Sequence, residues 1–426
     1  MLPAAHSRLD ALTARGLRVL AIASRAWPQD QTPSPSRDDL ERDLTLCGLV
    51  GLEDPPRADV GQALADCRRA GVRVAMLTGD HPATATAVAG RIGLLGPVRV
   101  VVSGDELPAD DDELGLLLDH DGVVVARVSP EDKLRIARAL RSRGHVVAMT
   151  GDGVNDAPAL HEADIGVAMG ASGTDVAREA ADLVLLDDNF ASIVAGIEQG
   201  RATYVNIRRF LTYHLTDNVA ELAPFVAWGL SGGRFPLALG VLQILALDLG
   251  TDTLTAVALG AEPPARHLLS DPPVGGHLLD RTVGRRAFGV LGPTIAFLTL
   301  AAFVASLAST GWRPGDAFPV GHDLAVASGA AFLTVVLGQT ANAFACRSST
   351  RTPNRIGWTT NRYLIPAATF ELIFAAAVIL IPSVAHQLGH VAPGVAGTTV
   401  AVASMPIVLL VDAFDKRTHR RHPAGT

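Results

Sequence analysis

Lysine is nearly absent from this 426-residue chain: Lys133 and Lys416 stand alone among 36 basic residues, and the other 34 are arginine. Where arginine is the default cation, a lysine needs a local reason, and a compact point charge suits a phosphoryl group in a tight site. Cysteine is scarce too. Cys47, Cys67 and Cys346 lie far apart with no C-x-x-C spacing, which implies neither a disulfide framework nor a zinc site. Charged residues form only 19% of the chain and the net charge is −7, so nucleic acid is not an expected partner. The N-terminal MLPAAHSRLDALTARGLRVL has arginines throughout and no long apolar run, and does not read as a signal peptide. With 48% hydrophobic residues and a positive mean hydropathy, part of the chain is expected to lie outside water.

The densest chemistry is in Met149 to Gly170, MTGDGVNDAPALHEADIGVAMG. His145 to Met149 is a short β-branched run that breaks at Thr150 into a glycine loop holding Asp152, Asn155 and Asp156. Pro158 follows in the first turn of a helix over 157–163. Two carboxylates in a glycine loop at the carboxyl end of a parallel strand suit Mg²⁺, which takes a few oxygen ligands and keeps waters or phosphate oxygens. For Gly-Asp-Gly alone, an Asx-rich turn without chemistry is the plainer reading. Thr78-Gly79-Asp80 ends an earlier strand and offers a hydroxyl and backbone N–H groups to a phosphate. Lys133, in ARVSPEDK, opens a helix over 130–141, where a cation gains nothing from the helix dipole.

From Ala58 to about Gly200 helices alternate with strands at 73–77, 98–102, 122–128, 145–149, 165–168 and 183–186, the pattern of a parallel sheet wrapped by helices. Thr-Gly-Asp-Gly-Val-Asn-Asp, with Thr78 and Lys133, resembles motifs two to four of the haloacid-dehalogenase superfamily, and the whole run resembles the hinge of P-type ion-pumping ATPases. The resemblance implies that Thr78, Gly79, Asp80 and Lys133 serve the transferred phosphoryl group. It also implies that Asp152 binds Mg²⁺ with Asp156 as a second carboxylate, and that Asn155 and Asp156 complete the loop. Leu44 to Arg57, ending Asp54-Pro55-Pro56-Arg57, resembles the return from a pump's nucleotide domain, with Gly16 to Leu20 as that domain's last strand. Asp54, Arg57 and Arg127 are by that likeness the ATP-side residues. The superfamily's first motif, Asp-Lys-Thr-Gly-Thr in pumps, does not occur in these residues. Its strand belongs in the middle of such a sheet, so a gap is expected beside the 145–149 strand.

Six mostly apolar runs follow, roughly 210–230, 236–259, 287–309, 324–346, 363–382 and 397–414, each long enough to cross about 30 Å of hydrocarbon. Arginines crowd the second, fourth and final connections, while the opposite loops hold only Arg234 and Arg313; the positive-inside rule then puts both ends in the cytoplasm. The runs carry acids: Asp217, Asn218 and Glu221 in the first, beside Pro224; Asp248, Thr251 and Asp252 in the second, beside Gly250; Glu371 in the fifth. At roughly 3 kcal/mol per central ionised acid, such residues must face inward, where carboxylates, hydroxyls and loosened carbonyls suit a cation. Protonated acids bonding neighbouring helices are the plainer reading. Thr-Asp-Asn-x-x-Glu-x-x-Pro-Phe with Asp-Leu-Gly-Thr-Asp resembles sodium/potassium and proton/potassium pumps more than calcium pumps. Asp217 departs from the serine or lysine those pumps carry there. Gln339 and Asn342 are secondary candidates.

The expected fold is an α/β Rossmann-like partial domain of haloacid-dehalogenase type followed by an all-α six-helix transmembrane bundle. The expected divisions are 1–46, a remnant of a nucleotide-binding domain; 47–200, part of a phosphorylation domain; and 201–426, stalk and membrane helices. The expected role is the C-terminal portion of an ATP-driven cation pump in the plasma membrane. It would lack its phosphoacceptor, and an N-terminal pump half or partner subunit would complete it. The alternative is a catalytically inactive membrane protein that binds cations or a partner pump. A phosphatase fused to an unrelated channel fits less well, because Asp80 and Asp152 lie outside any nucleophile motif.

Overall fold

The computed structural model describes residues 2–27, 36–53, 55–265, 268–270 and 277–419. Asp54, expected at the nucleotide, lies outside them. The chain forms two compact units; the first runs to Glu198 and takes in Leu269, and the second starts at Gln199.

In the first unit, helix α1 (Leu2–Thr13) precedes an antiparallel ribbon of β1 (Arg18–Ser24) and β2 (Thr45–Leu52), registered from Arg18↔Leu52 to Ser24↔Thr45. The ribbon straddles the expected division at residue 46. Arg91 ties it down by an ion pair with Glu53 and a hydrogen bond to the Arg15 carbonyl. Next come α2 (Val60–Arg69), β3 (Met76–Leu77), α3 (Pro82–Arg91), β4 (Val101–Ser103), α4 (Asp111–Leu118), β5 (Val124–Ala126) and α5 (Pro130–Ser142). The unit continues with β6 (Ala148–Gly151), α6 (Ala157–Glu162), β7 (Ile165–Met169), α7 (Asp175–Ala180) and β8 (Leu183–Leu185). All six expected strands form, mostly shorter than the apolar runs that announced them.

They build two parallel sheets, in the orders β3-β5-β4 and β6-β7-β8. β3 and β6 end their sheets and are not hydrogen-bonded to each other. Leu77 of β3 nevertheless packs with both hydrophobic clusters, one around Val125 and Ile136 and one around Met149 and Leu160. Asp119 braces the entry side: it pairs with Arg73 just before β3 and with Arg143 and His145 just before β6. Strong local signals set the helix starts. Ser129 caps α5 in a reciprocal box with Asp132, and Pro130 takes the first helical position.

The second unit is helical. The expected stalk and first span form one helix, α8 (Phe190–Leu230), which runs for 41 residues through Pro224. Then follow α9 (Val241–Gly260), α10 (Arg281–Ser309), α11 (His322–Cys346), α12 (Leu364–Leu380) and α13 (Val395–His419). Among the described residues four helices, α9, α10, α11 and α13, are long and apolar enough to cross a membrane. α12 is apolar but stops at 17 residues, because Pro382 cannot continue it and opens a new short helix. The 210–230 stretch of α8 is diluted by His214, Asp217, Asn218 and Glu221.

The packing is tight where residues are small. A β-carbon on Gly329 in α11 would run into the Val391 carbonyl, and the Val391 N–H bonds the Ala325 carbonyl at 3.1 Å. Gly329→Val should therefore destabilise the chain by about 1–3 kcal/mol, because backbone cannot yield as a side chain can. A melting temperature in detergent equal to wild type would show that this contact gives way freely.

Candidate active and ion-binding sites

In the first unit the candidate site gathers where β3, β5 and β6 end. Gly151 closes β6, and a β-carbon there would collide with the Asp156 side chain, so glycine lets Asp156 fold back over the loop. Asp156 is buried, and Lys133 Nζ donates to its Oδ1 at 2.5 Å. Its Oδ2 accepts the N–H groups of Asp152 and Gly153 at 3.2 and 3.1 Å. Burial opposes the charge on Asp156, yet Lys133 and those N–H groups hold its carboxyl below the usual carboxylate range. Both oxygens of Asp156 are thus engaged. Asp152 is different: its side chain is exposed, while its N–H is held by Asp156 and its carbonyl by the Thr174 N–H at 2.9 Å. A free carboxylate on a pinned backbone fits a hard cation such as Mg²⁺.

Thr78 joins through the backbone. Its N–H bonds the Val125 carbonyl, its carbonyl accepts from Val128, and its hydroxyl oxygen accepts from Asp80 N–H at 3.1 Å. The Asp80 carbonyl accepts from Arg127, a left-handed residue at φ 53°. This lashes the Thr78-Gly79-Asp80 turn to the segment that leads into the Lys133 helix. Gly79, Asp80, Arg127 and Asn155 are exposed around that mouth. Arg57 instead reaches the Asp187 carbonyl at 3.2 Å.

In the helical unit, carboxylate oxygens of Glu221, Asp248 and Asp252 lie within 4.8 Å of one another. Two backbone irregularities frame them. Pro224 has no N–H for the Ala220 carbonyl, and Asp248–Asp252 is wound as a π-helix inside α9, which brings Asp248 and Asp252 to one side. Gly250 lets Phe374 of α12 pack directly over that turn.

Neighbouring helices supply polar partners that the sequence only hinted at. Gln339 donates to Glu221 at 2.7 Å, and Asn342 donates to Asp217 at 2.9 Å and to the Tyr213 carbonyl. Tyr213 donates to Asp252 at 3.4 Å. Spacing of Gln339 and Asn342 three apart on α11, against Glu221 and Asp217 four apart on α8, is the signal that pairs them. Glu371 is fully buried but stands apart from the three clustered acids, held by the hydroxyls of Thr255 and Thr340 at 2.9 Å each. The Thr251 hydroxyl is turned back to the Leu247 carbonyl, and Asn218 is half-buried.

Two family models match this chain: residues 236–418 match the cation transporting ATPase C-terminus, and residues 5–164 match haloacid dehalogenase-like hydrolases. The chain is thus similar to the C-terminal half of P-type cation-transporting ATPases. A calcium-transporting ATPase of Bacillus subtilis is 40% identical over 412 residues, 95% of this chain and 44% of the relative. Calcium-transporting ATPase 1 of Bacillus cereus is 39% identical over 392 residues, 89% of this chain and 43% of the relative. The sodium/potassium-transporting ATPase subunit alpha of Drosophila melanogaster is 38% identical over 340 residues, 72% of this chain and 32% of the relative. The chain thus spans less than half the length of these curated relatives. The expected special closeness to sodium/potassium pumps does not emerge, since the calcium-transporting relatives match longer stretches at equal or higher identity.

Proposed function

We propose that this chain serves an ATP-driven cation pump, supplying the carboxylate ion site and one wall of the phosphorylation site. The observation that carries the reading is the convergence of Glu221, Asp248 and Asp252 where α8 carries Pro224 and α9 is wound as a π-turn, inside an apolar bundle. Three acids there suit a divalent cation, and calcium is the first probe to use. The phosphoryl acceptor would come from residues outside these 426, since no Asp-Lys-Thr-Gly-Thr occurs here.

In the first unit, Lys133 would neutralise charge on the transferred phosphoryl group, and the Thr78 hydroxyl and Gly79 N–H would orient its oxygens. Mg²⁺, held by Asp152, would neutralise phosphate charge during transfer. Asp156 aims Lys133 and fixes the Asp152 peptide. Arg127, exposed at the mouth, would meet the nucleotide, and Arg57, turned to Asp187, would have to move. ATP is the phosphoryl donor in this reading.

The membrane arrangement we infer has six crossings, adding α12 and the C-terminal part of α8 to the four long apolar helices, with both termini in the cytoplasm and the plasma membrane as its place. Accessibility tags test it. A tag at Asn354 should be cytoplasmic, and tags at Gly233, Gly315 and His390 should not. Labelling of Asn354 and Gly233 from the same side would end the six-crossing arrangement. The experiment that tests function is cation binding to the purified chain, argued in full below. Its failure would favour a membrane protein with neither transport nor catalysis.

A further inference from the structure

The Asp152 peptide is pinned from two directions, and only the inner one, through Asp156, is part of the loop motif. The outer one comes from Thr174, whose N–H holds the Asp152 carbonyl at 2.9 Å. Thr174 ends the turn Gly170–Thr174, a segment with no side chain of its own in the site. What fixes that turn lies further along the chain.

Asp188 is buried, with 8% exposure, and both of its oxygens are spent on the turn: Ala171 N–H donates at 2.9 Å and Ser172 N–H at 2.7 Å. It does this from a left-handed backbone at φ 50°, a conformation that a non-glycine residue adopts at a cost and that marks a constrained position. The Leu185 carbonyl ties both ends together, accepting from Gly170 at 2.8 Å and from Asp188 at 3.1 Å. Arg178 closes the other flank by donating to the Gly170 and Gly173 carbonyls. A β-carbon on Gly173 would strike the Met169 carbonyl, so the turn has no slack there. These ties run to α7 and to the stretch from β8 to Asp188. The tie from the Thr174 N–H instead reaches Asp152.

We propose that Asp188 is a positioning residue for the Mg²⁺-binding loop, acting through the Gly170–Thr174 turn to hold the Asp152 carbonyl and so aim the Asp152 carboxylate. The inference rests on the phosphoryl-transfer reading for its consequence, but its structural step can be read without it. Asp188 touches neither phosphate nor metal. Its loss loosens the angle of a ligand rather than removing one, so the metal requirement moves before the limiting rate does.

The test uses Asp188→Gly, which removes the carboxylate while suiting the left-handed backbone, and Asp188→Asn, which keeps one acceptor. Amide hydrogen exchange on the full chain in detergent is the first readout. Asp188→Gly should speed exchange at Ala171 and Ser172 and also at Thr174, two residues beyond the lost contacts, with Asp188→Asn between it and wild type. Faster exchange confined to Ala171 and Ser172, with Thr174 still protected, overturns the proposal. The second readout is phosphorylation of the chain completed by its N-terminal half, measured against Mg²⁺ concentration. Half-saturating Mg²⁺ should rise about 10-fold or more in Asp188→Gly, the usual scale for a lost partner behind a metal ligand, with the rate at saturating Mg²⁺ close to wild type. A lowered rate with unchanged Mg²⁺ dependence also overturns it. Should wild type itself not phosphorylate, the pump reading fails and the exchange result alone decides the role of Asp188.

Discussion

Completed in trans by a segment bearing an Asp-Lys-Thr-Gly-Thr strand, the chain should take phosphate from ATP onto the added aspartate, and Lys133→Ala should lower the rate about 100- to 1,000-fold. The expectation starts from the sheets. Among the described residues β3 and β6 each end a parallel sheet and have no strand partner on the side where a central strand belongs. Leu77 packs with the apolar clusters of both halves, and Asp119 holds the strand entries through Arg73, Arg143 and His145. An inserted strand would end beside Thr78, Lys133 and Asp152. The size of the effect comes from where Lys133 acts: charge builds on the phosphoryl oxygens in the transition state, and a fixed donor lost there costs about 3–4 kcal/mol. Lys133→Ala also leaves Asp156 with its two N–H donors and no cation. Lys133→Arg is the control. It keeps the charge but brings a planar fork where a point charge fits, and should recover only part of the rate. Alone, the chain should give no acid-stable phosphoenzyme. Association of the halves without phosphorylation, or phosphorylation indifferent to Lys133, would move the reading to a non-catalytic membrane protein.

The fold of the first unit was largely legible because its signals are local. Strands that stop at Thr-Gly-Asp turns, and a Ser129–Asp132 capping box ahead of Pro130, are written in adjacent residues. What could not be read is what depends on distant contacts. Asp188 is one of two acids in Asp187-Asp188-Asn189, and nothing within a few residues of it announces Ala171 or Ser172. In the helical unit, hydropathy placed the apolar runs but not their joints. Charged stalk and first span fuse into one helix because helix formers continue through Arg208 and Arg209, while a polar composition hides that same span from an apolar count. The π-turn at Asp248–Asp252 has no periodic signature of its own; Gly250 marked the place without showing the form. Likeness to known proteins was least readable at the ion site, where a few motif letters resembled sodium/potassium and proton/potassium pumps and left the ion open, while two calcium-transporting ATPases match longer stretches than the sodium/potassium-transporting subunit does.

Glu221→Gln and Asp248→Asn should each weaken calcium binding by the purified chain at least about 100-fold, the larger effect falling on Glu221. The two differ in how they are held. Glu221 is buried, Gln339 donates to one of its oxygens, and among the described residues it makes no ion pair. Asp248 is only half-buried and stands at the start of the π-turn. Each substitution keeps the volume while removing a full charge and one ligand oxygen from a cluster of three acids. Loss of a buried charge's partner is typically 3–5 kcal/mol, which a factor of 100, about 2.7 kcal/mol, does not exceed. Insertion should be unaffected, since an amide is cheaper than an acid in hydrocarbon surroundings. Asp217→Asn gives the comparison: Asp217 already receives Asn342 and lies outside the three-acid cluster, so its loss should weaken calcium binding less than either. Titration calorimetry in detergent, with calcium and sodium as separate ligands, reads all four proteins. Tighter sodium than calcium binding by wild type would favour the sodium-pump likeness of the Asp-Leu-Gly-Thr-Asp turn. Unchanged affinity for both ions in Glu221→Gln and Asp248→Asn would remove the cation site altogether.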